Sequence, residues 1–259
     1  MGKSYPNGMR SILIFYSLLT LALPVMAQSN AERKAEIQKK EAATPSQEAL
    51  DRRARSVAQL KKEGVPVSST LPVIEDSTSA KTRTVEEVAK RAIAVCLMAV
   101  KGEGLEDEHL LPLVKEFGAE AFLSPEELAF LKDSHPSQAD RVKFTWRYEN
   151  YWVLLWALGY VDSLNRPEGI CDVKKSVSFI LKHSTTPLFI KNAKLRPLNE
   201  ILDQADLIYR YHWAVVDARL KGKETPANLE GGVVMERHYV LNWLIGYMDQ
   251  EWDDISTDT

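Results

Sequence analysis

The sequence predicts an all-α protein, a single non-repeating helical bundle-like domain after a cleaved signal peptide. Three observations carry that prediction. Apolar residues recur at helical spacing in most segments. Capping motifs and glycines punctuate the chain at helix-length intervals. No alternating run of β-branched residues survives between turns.

The N-terminus has the form of an export signal. Lys3 and Arg10 make a positive n-region, Ser11 to Leu23 an apolar h-region, and Val25-Met26-Ala27 a small-residue cleavage site after Pro24. Residues 1–27 are expected to be a signal peptide cleaved after Ala27. The alternative is a retained anchor, but the apolar run is shorter than the roughly 20 residues a span needs. No cysteine follows the cleavage site, which disfavours a lipid anchor, and no later apolar run could span a membrane. Residues 28–46 are polar and charged and read as a spacer; residues 47–259 form the expected domain.

Within the domain, a first helix is expected from Gln47 to Lys62, stopping at Gly64. Two prolines, Pro66 and Pro72, make the next stretch an extended connector. Thr84-Val85-Glu86-Glu87 is a capping box opening a helix to about Lys101, ended by Gly102. Another helix covers Glu106 to Phe117, and Ser124-Pro125-Glu126-Glu127 opens a short one before Asp133. The stretch from Ala139 to Leu158 carries Trp146, Tyr148, Tyr151, Trp152 and Trp156 and is apolar nearly all round, so it should be a buried central helix. Asp172 caps a helix to Lys182, Pro197 opens one to Leu220, and the last spans Gly232 to Met248. The helices at 139–158, 197–221 and 232–248 are expected at the centre.

The formal charge is −3, and loss of Lys3 and Arg10 with the signal takes it to −5. Mild acidity argues against nucleic acid or an anionic membrane as the main partner. Cys96 and Cys171 allow either a disulfide, worth about 4 kcal/mol in the chain-entropy model, or two thiols, with Cys96 a small hydrophobe.

Glu149 is the residue most unusual for its position. Val142, Thr145-Trp146, Glu149, Trp152-Val153 and Trp156 share one helical face, which sets a carboxylate in an aromatic stripe. Such a group is paired, protonated or functional. The functional reading is a general base; the structural reading is an ion pair with Arg91, Arg210 or Arg237. His212 falls in or beside the apolar face of Leu198, Ile201-Leu202, Ala205, Tyr209 and Val216 and reads as a hydrogen-bonded core histidine, with Asp206 and Arg210 four apart on a neighbouring face. If there is a reaction, the candidate catalytic residues are Glu149, His212, His238 and Arg237.

No metal or cofactor is expected. Of the Glu-x-x-His pairs a di-iron bundle uses, only Glu106-Asp107-Glu108-His109 fits, and it reads as an exposed helix start. Asp253, Asp254 and Asp258 lack the oxygen spacing and glycine of a calcium loop, and read instead as helix caps or arginine partners. Phosphate loops, nucleophile elbows, zincin motifs and zinc-type cysteine spacing are missing from the sequence.

Several motifs together resemble a largely bacterial family, domain of unknown function 4272. They are Leu71-Pro72 with Arg83 and Glu87-Val88-Ala89-Lys90-Arg91, Leu123-Ser124-Pro125-Glu126-Glu127, and Tyr148-Glu149 with Trp152-Val153-Leu154-Leu155-Trp156-Ala157-Leu158-Gly159. Pro167, Cys171, Arg196, Glu200-Ile201-Leu202-Asp203, Asp206, Tyr209-Arg210 and Trp213-Ala214 follow. Glu236-Arg237-His238, Leu241-Asn242-Trp243, Trp252-Asp253-Asp254 and Asp258-Thr259 complete the pattern, which runs from about residue 48 to the end. The resemblance implies an all-α domain and gives Cys171 a place in the fold. It implies no catalytic residue, and the export signal is a departure from many family members.

The leading expectation is a non-enzymatic exported helical protein that binds a protein or a small ligand. The alternatives are a hydrolase-like enzyme using Glu149 with a core histidine, and an envelope inhibitor or immunity-type protein whose acidic face meets a basic partner.

Overall fold

A computed structural model describes residues 44–259. The expected signal peptide (1–27) and nearly all of the spacer (28–46) lie outside the described residues. Among the described residues there are nine α-helices and no strand.

Helix α1 is Gln47–Lys62, with the Ser46 hydroxyl accepting the Ala49 N–H at 3.3 Å. Helix α2 is Val85–Glu103 and carries both halves of the Thr84/Glu87 capping box. Helix α3 is Asp107–Phe117, and α4, Pro125–Lys132, opens on the Ser124/Glu127 capping box. Helix α5 is Gln138–Ala157, capped by Ser137 rather than entered at Ala139. Helices α6 (Val173–Leu181), α7 (Thr186–Lys191), α8 (Leu198–Leu220) and α9 (Gly231–Leu244) follow.

The centre of the fold is the pair α2 and α5, which make the most extensive helix–helix packing of the described chain. Helices α8 and α9 pack together, α9 also lies on α5, and α1 covers α8. The expected centre therefore lacked α2. From Val88 to Ala99 every residue of α2 except Lys90 is buried, so it is apolar nearly all round as a core helix must be.

Two boundaries differ from expectation. Helix α2 runs through Gly102 and stops at Gly104, whose φ of 116° no side-chain-bearing residue adopts readily. Gly102 is required for another reason. A Cβ there would lie 2.8 Å from the Arg141 carbonyl oxygen and 2.8 Å from the Thr145 nitrogen, so only glycine lets the end of α2 press on the first turns of α5. The last helix ends at Leu244, not Met248, because Gly246 turns left-handed and Tyr247–Asp249 continue as a separate 3-10 turn.

The C-terminal segment is tied to the bundle by arginines and tryptophans. Trp252 packs edge-on against Tyr239 and Trp243, with the Arg91 guanidinium 4.7 Å from its ring centre. Asp253 Oδ2 accepts the Glu126 N–H at 2.9 Å and so caps the first turn of α4, the capping role expected of that acidic cluster. Among the described residues no helix is long and apolar enough to cross a membrane.

Candidate functional site

Helices α5 and α9 face each other with charges buried between them. Glu149 is 2% exposed and Arg237 4%. Arg237 Nε donates to Glu149 Oε2 at 3.4 Å, and its Nη1 donates to the Asn165 carbonyl at 2.6 Å. The other carboxylate oxygen of Glu149 accepts the Cys171 N–H. Of the three arginines expected as partners, the structure selects Arg237. Arg91 pairs instead with Glu127, and Arg210 with Asp206 at 2.7 Å. That last pair is fully buried, whereas the sequence placed it beside the core.

The Glu149–Arg237 pair thus holds the loop between α5 and α6 at its middle and at its far end. The arginine fixes Asn165 and the glutamate fixes Cys171. Arg166, between them, donates to Glu63 at 2.9 Å and to the Ala227 carbonyl at 2.6 Å. Where the loop turns inward, as at the buried Cys171, its backbone groups need partners, and these side chains supply them.

A second buried pair runs parallel to the first. Arg147 donates to Glu236 at 3.0 Å and lies 4.2 Å from the centre of the Tyr239 ring. Asn150 also donates to Glu236, which leaves its own buried Oδ1 without a protein partner. Burial pushes the Glu236 carboxyl upward, against the pull of the Arg147 charge. Sequence reasoning missed this pair, because periodicity within α5 does not reveal which residue about ninety positions later faces it.

His212 and His238 meet each other rather than Glu149. Their Nδ1 atoms are 2.8 Å apart and their rings are edge to face, with Tyr209 against His238. Burial, with Arg219 nearby, pushes His212 down to about 4. Burial and His212 drive His238 well below its ordinary value. Both rings are neutral at neutral pH, and one Nδ1 must donate to the other.

Both cysteines are free and buried. Burial pushes the Cys96 thiol up to about 12. Cys171 is raised as well, by burial and then by the Glu149 charge, so neither is a thiolate at neutral pH. Cys171 donates its S–H to the Tyr148 carbonyl at 3.6 Å, which supports the place in the fold that the resemblance gave it.

The concave feature beside these charges is a cleft of about 420 Å³ where the end of α2 meets α5 and the residues leading into α6. Its apolar lining comes from Val142, Trp146, Ile170 and Val173, and its polar lining includes Glu103, Arg141, Tyr148 and Glu149. The expected stripe on α5 therefore leaves the core at its N-terminal end: Val142 is 46% exposed and Trp146 half-buried. Trp146 is seated by Gly232, where a Cβ would lie 2.6 Å from the indole Cη2. Tyr148 donates its hydroxyl to Glu103 at 2.6 Å on one wall. Of the four catalytic candidates only Glu149 lines this cleft, at its floor with both oxygens engaged; Arg237 lies behind it, and neither histidine lines it. Glu106 to His109 begin α3 at the surface as expected, and among the described residues no cluster of three metal-binding side chains occurs.

These features define an all-α domain with paired charges in its core and an amphipathic cleft at one end of its central helix pair. The chain belongs to the family described as Domain of unknown function (DUF4272), whose model matches residues 52–255. No curated protein and no solved structure matches the chain.

Proposed function

We propose that this chain is a non-enzymatic exported binding protein that takes a small ligand in the cleft at Trp146. The carrying observation is that the polar groups a reaction would need are committed elsewhere. Glu149 spends one oxygen on Cys171 and the other on Arg237, while the histidines satisfy each other away from the cleft. A general base must reach the proton it abstracts, and both oxygens of this carboxylate are engaged at the closed end. What remains is an apolar surface with a few polar groups at fixed positions, the usual lining of a ligand site.

The loop carrying Ile170 is part of that surface, and the buried pair keeps it in place. The charges thereby support binding without touching the ligand, by pre-organising a wall. Export is read from residues 1–27 of the sequence.

Tryptophan fluorescence tests the binding half. The protein has six tryptophans, of which Trp146 lines the cleft. Titration with a neutral aromatic such as 3-phenylpropan-1-ol should change the emission of the parent, and the change should vanish in Trp146→Phe. The same change in both proteins would place binding elsewhere. Fractionation of cells making the full chain tests the export half: processing after Ala27 shortens the protein found in the envelope or medium, and an unprocessed protein in the cytosol contradicts it.

A further inference from the structure

Resting on that binding reading, we propose that the ligand is a zwitterion with an apolar side group, a free apolar α-amino acid. The inference comes from charges of opposite sign lining one largely apolar cleft. Glu103 ends α2 and Arg141 lies in the early turns of α5, and both line the cleft. The close approach at Gly102 brings these two segments together, since Gly102 precedes Glu103 and sits against the Arg141 backbone.

The charges at the floor and at the mouth play different parts. Glu149 at the floor is neutralised from behind by Arg237. Glu103 is exposed and holds only the Tyr148 hydroxyl, a neutral donor, so its charge stays available to a cation. Among the described residues Arg141 has no ion-pair partner, so its guanidinium is available to a carboxylate. Trp146, Val142, Ile170 and Val173 supply the apolar lining of the same cleft.

A purely cationic ligand would meet Glu103 but also Arg141, and a purely anionic one would meet Arg141 but also Glu103. A zwitterion satisfies both signs, and its apolar side group can lie on the indole. A guanidinium binds a carboxylate with two parallel hydrogen bonds, which suits the amino acid's free carboxyl. A residue inside a peptide brings neither charge, and a peptide end brings one.

The test uses the full chain and four small molecules that share a phenyl ring. L-phenylalanine carries both charges, phenethylamine the positive one, 3-phenylpropanoate the negative one, and 3-phenylpropan-1-ol neither. Calorimetric titration should rank phenylalanine at least tenfold tighter than the other three. Arg141→Gln should remove its advantage over phenethylamine, and Glu103→Gln its advantage over 3-phenylpropanoate. Both substitutions are at partly or fully exposed positions, and unchanged thermal unfolding shows that the variants fold. Equal affinity for the alcohol and phenylalanine would overturn the zwitterion assignment and leave the cleft a binding site. A tetrapeptide with N-terminal phenylalanine binding as tightly as the free amino acid would also overturn it. No binding by any of the four at millimolar concentration would overturn the binding reading itself.

Discussion

Glu149→Ala should destabilise the protein by about 3–5 kcal/mol, the cost of breaking a buried ion pair from one side. The structure shows where that cost arises. Arg237, 4% exposed, would keep only the Asn165 carbonyl as partner and would be left as an uncompensated buried charge. The Cys171 N–H would lose its acceptor, and an unsatisfied buried amide costs about 1–3 kcal/mol by itself. Replacing both charges, as in Glu149→Met with Arg237→Met, removes the stranded cation. The residual loss should then fall to about 1–3 kcal/mol, set by the backbone groups of the loop. Urea unfolding reads both values as shifts of the midpoint at constant slope. A loss below about 1 kcal/mol for the single variant would refute the claim that the pair holds the loop. A double variant less stable than the single would refute it as well.

Other outcomes follow from the same structure. Trp156 is buried under the Arg196 guanidinium, 5.0 Å from its ring centre, so Trp156→Ala should cost about 3–5 kcal/mol in urea unfolding, and an unchanged midpoint would contradict its core placement. Gly102→Ala should destabilise by about 1–3 kcal/mol through overpacking, although helix propensity alone would favour alanine by about 1; a more stable variant would show that the α2–α5 contact yields easily. Because His212 is neutral in the fold down to about pH 4 but takes up a proton near pH 6.5 when unfolded, its contribution is fully kept above 6.5 and lost as pH falls. That loss should reach about 3 kcal/mol for His212 alone, and His212→Gln with His238→Gln should flatten the slope between pH 6.5 and 5; an unchanged slope would contradict the buried neutral pair. Asp253→Ala should cost about 1 kcal/mol by uncapping α4, measured by thermal unfolding with the Asp254→Ala variant as control; equal effects from the two would refute the cap.

Local signals in the sequence translated well into structure. Ser124-Pro125-Glu126-Glu127 and Thr84-Val85-Glu86-Glu87 open helices with both capping-box hydrogen bonds made, because that motif is satisfied within four residues. The aromatic run from Tyr148 to Trp156 is buried as its periodicity required. Glycines were ambiguous: Gly102 looked like a stop but is a helix-crossing seat, and Gly232 looked like a helix start but also seats Trp146. The six residues of α7 carry too little periodicity to be read at all. The burial of α2 was legible, since Ala92-Ile93-Ala94-Val95-Cys96-Leu97-Met98 reads as a buried helix with no polar face; its place at the centre beside α5 was not.

The site was harder to read because it is made by contacts distant in sequence. That Glu149 needed a counter-charge followed from its position, but the choice of Arg237 over Arg91 and Arg210 depends on how α5 and α9 face each other. The histidines were suspected singly, and their direct contact depends on the packing of α8 on α9. The cleft itself left one trace in the sequence. Val142 extends an aromatic stripe beyond the part that the core can cover.

The central claim is that the cleft at Trp146 receives the ligand while the Glu149–Arg237 pair remains part of the scaffold. Indole N–H resonances test it most directly, with the Trp146 signal assigned by its loss in Trp146→Phe. Saturation with L-phenylalanine should move the Trp146 resonance most and leave Trp156 and Trp243 in place. A spectrum in which Trp146 stays fixed under ligands that demonstrably bind, or in which the C2–H signals of His212 and His238 move instead, would contradict the account.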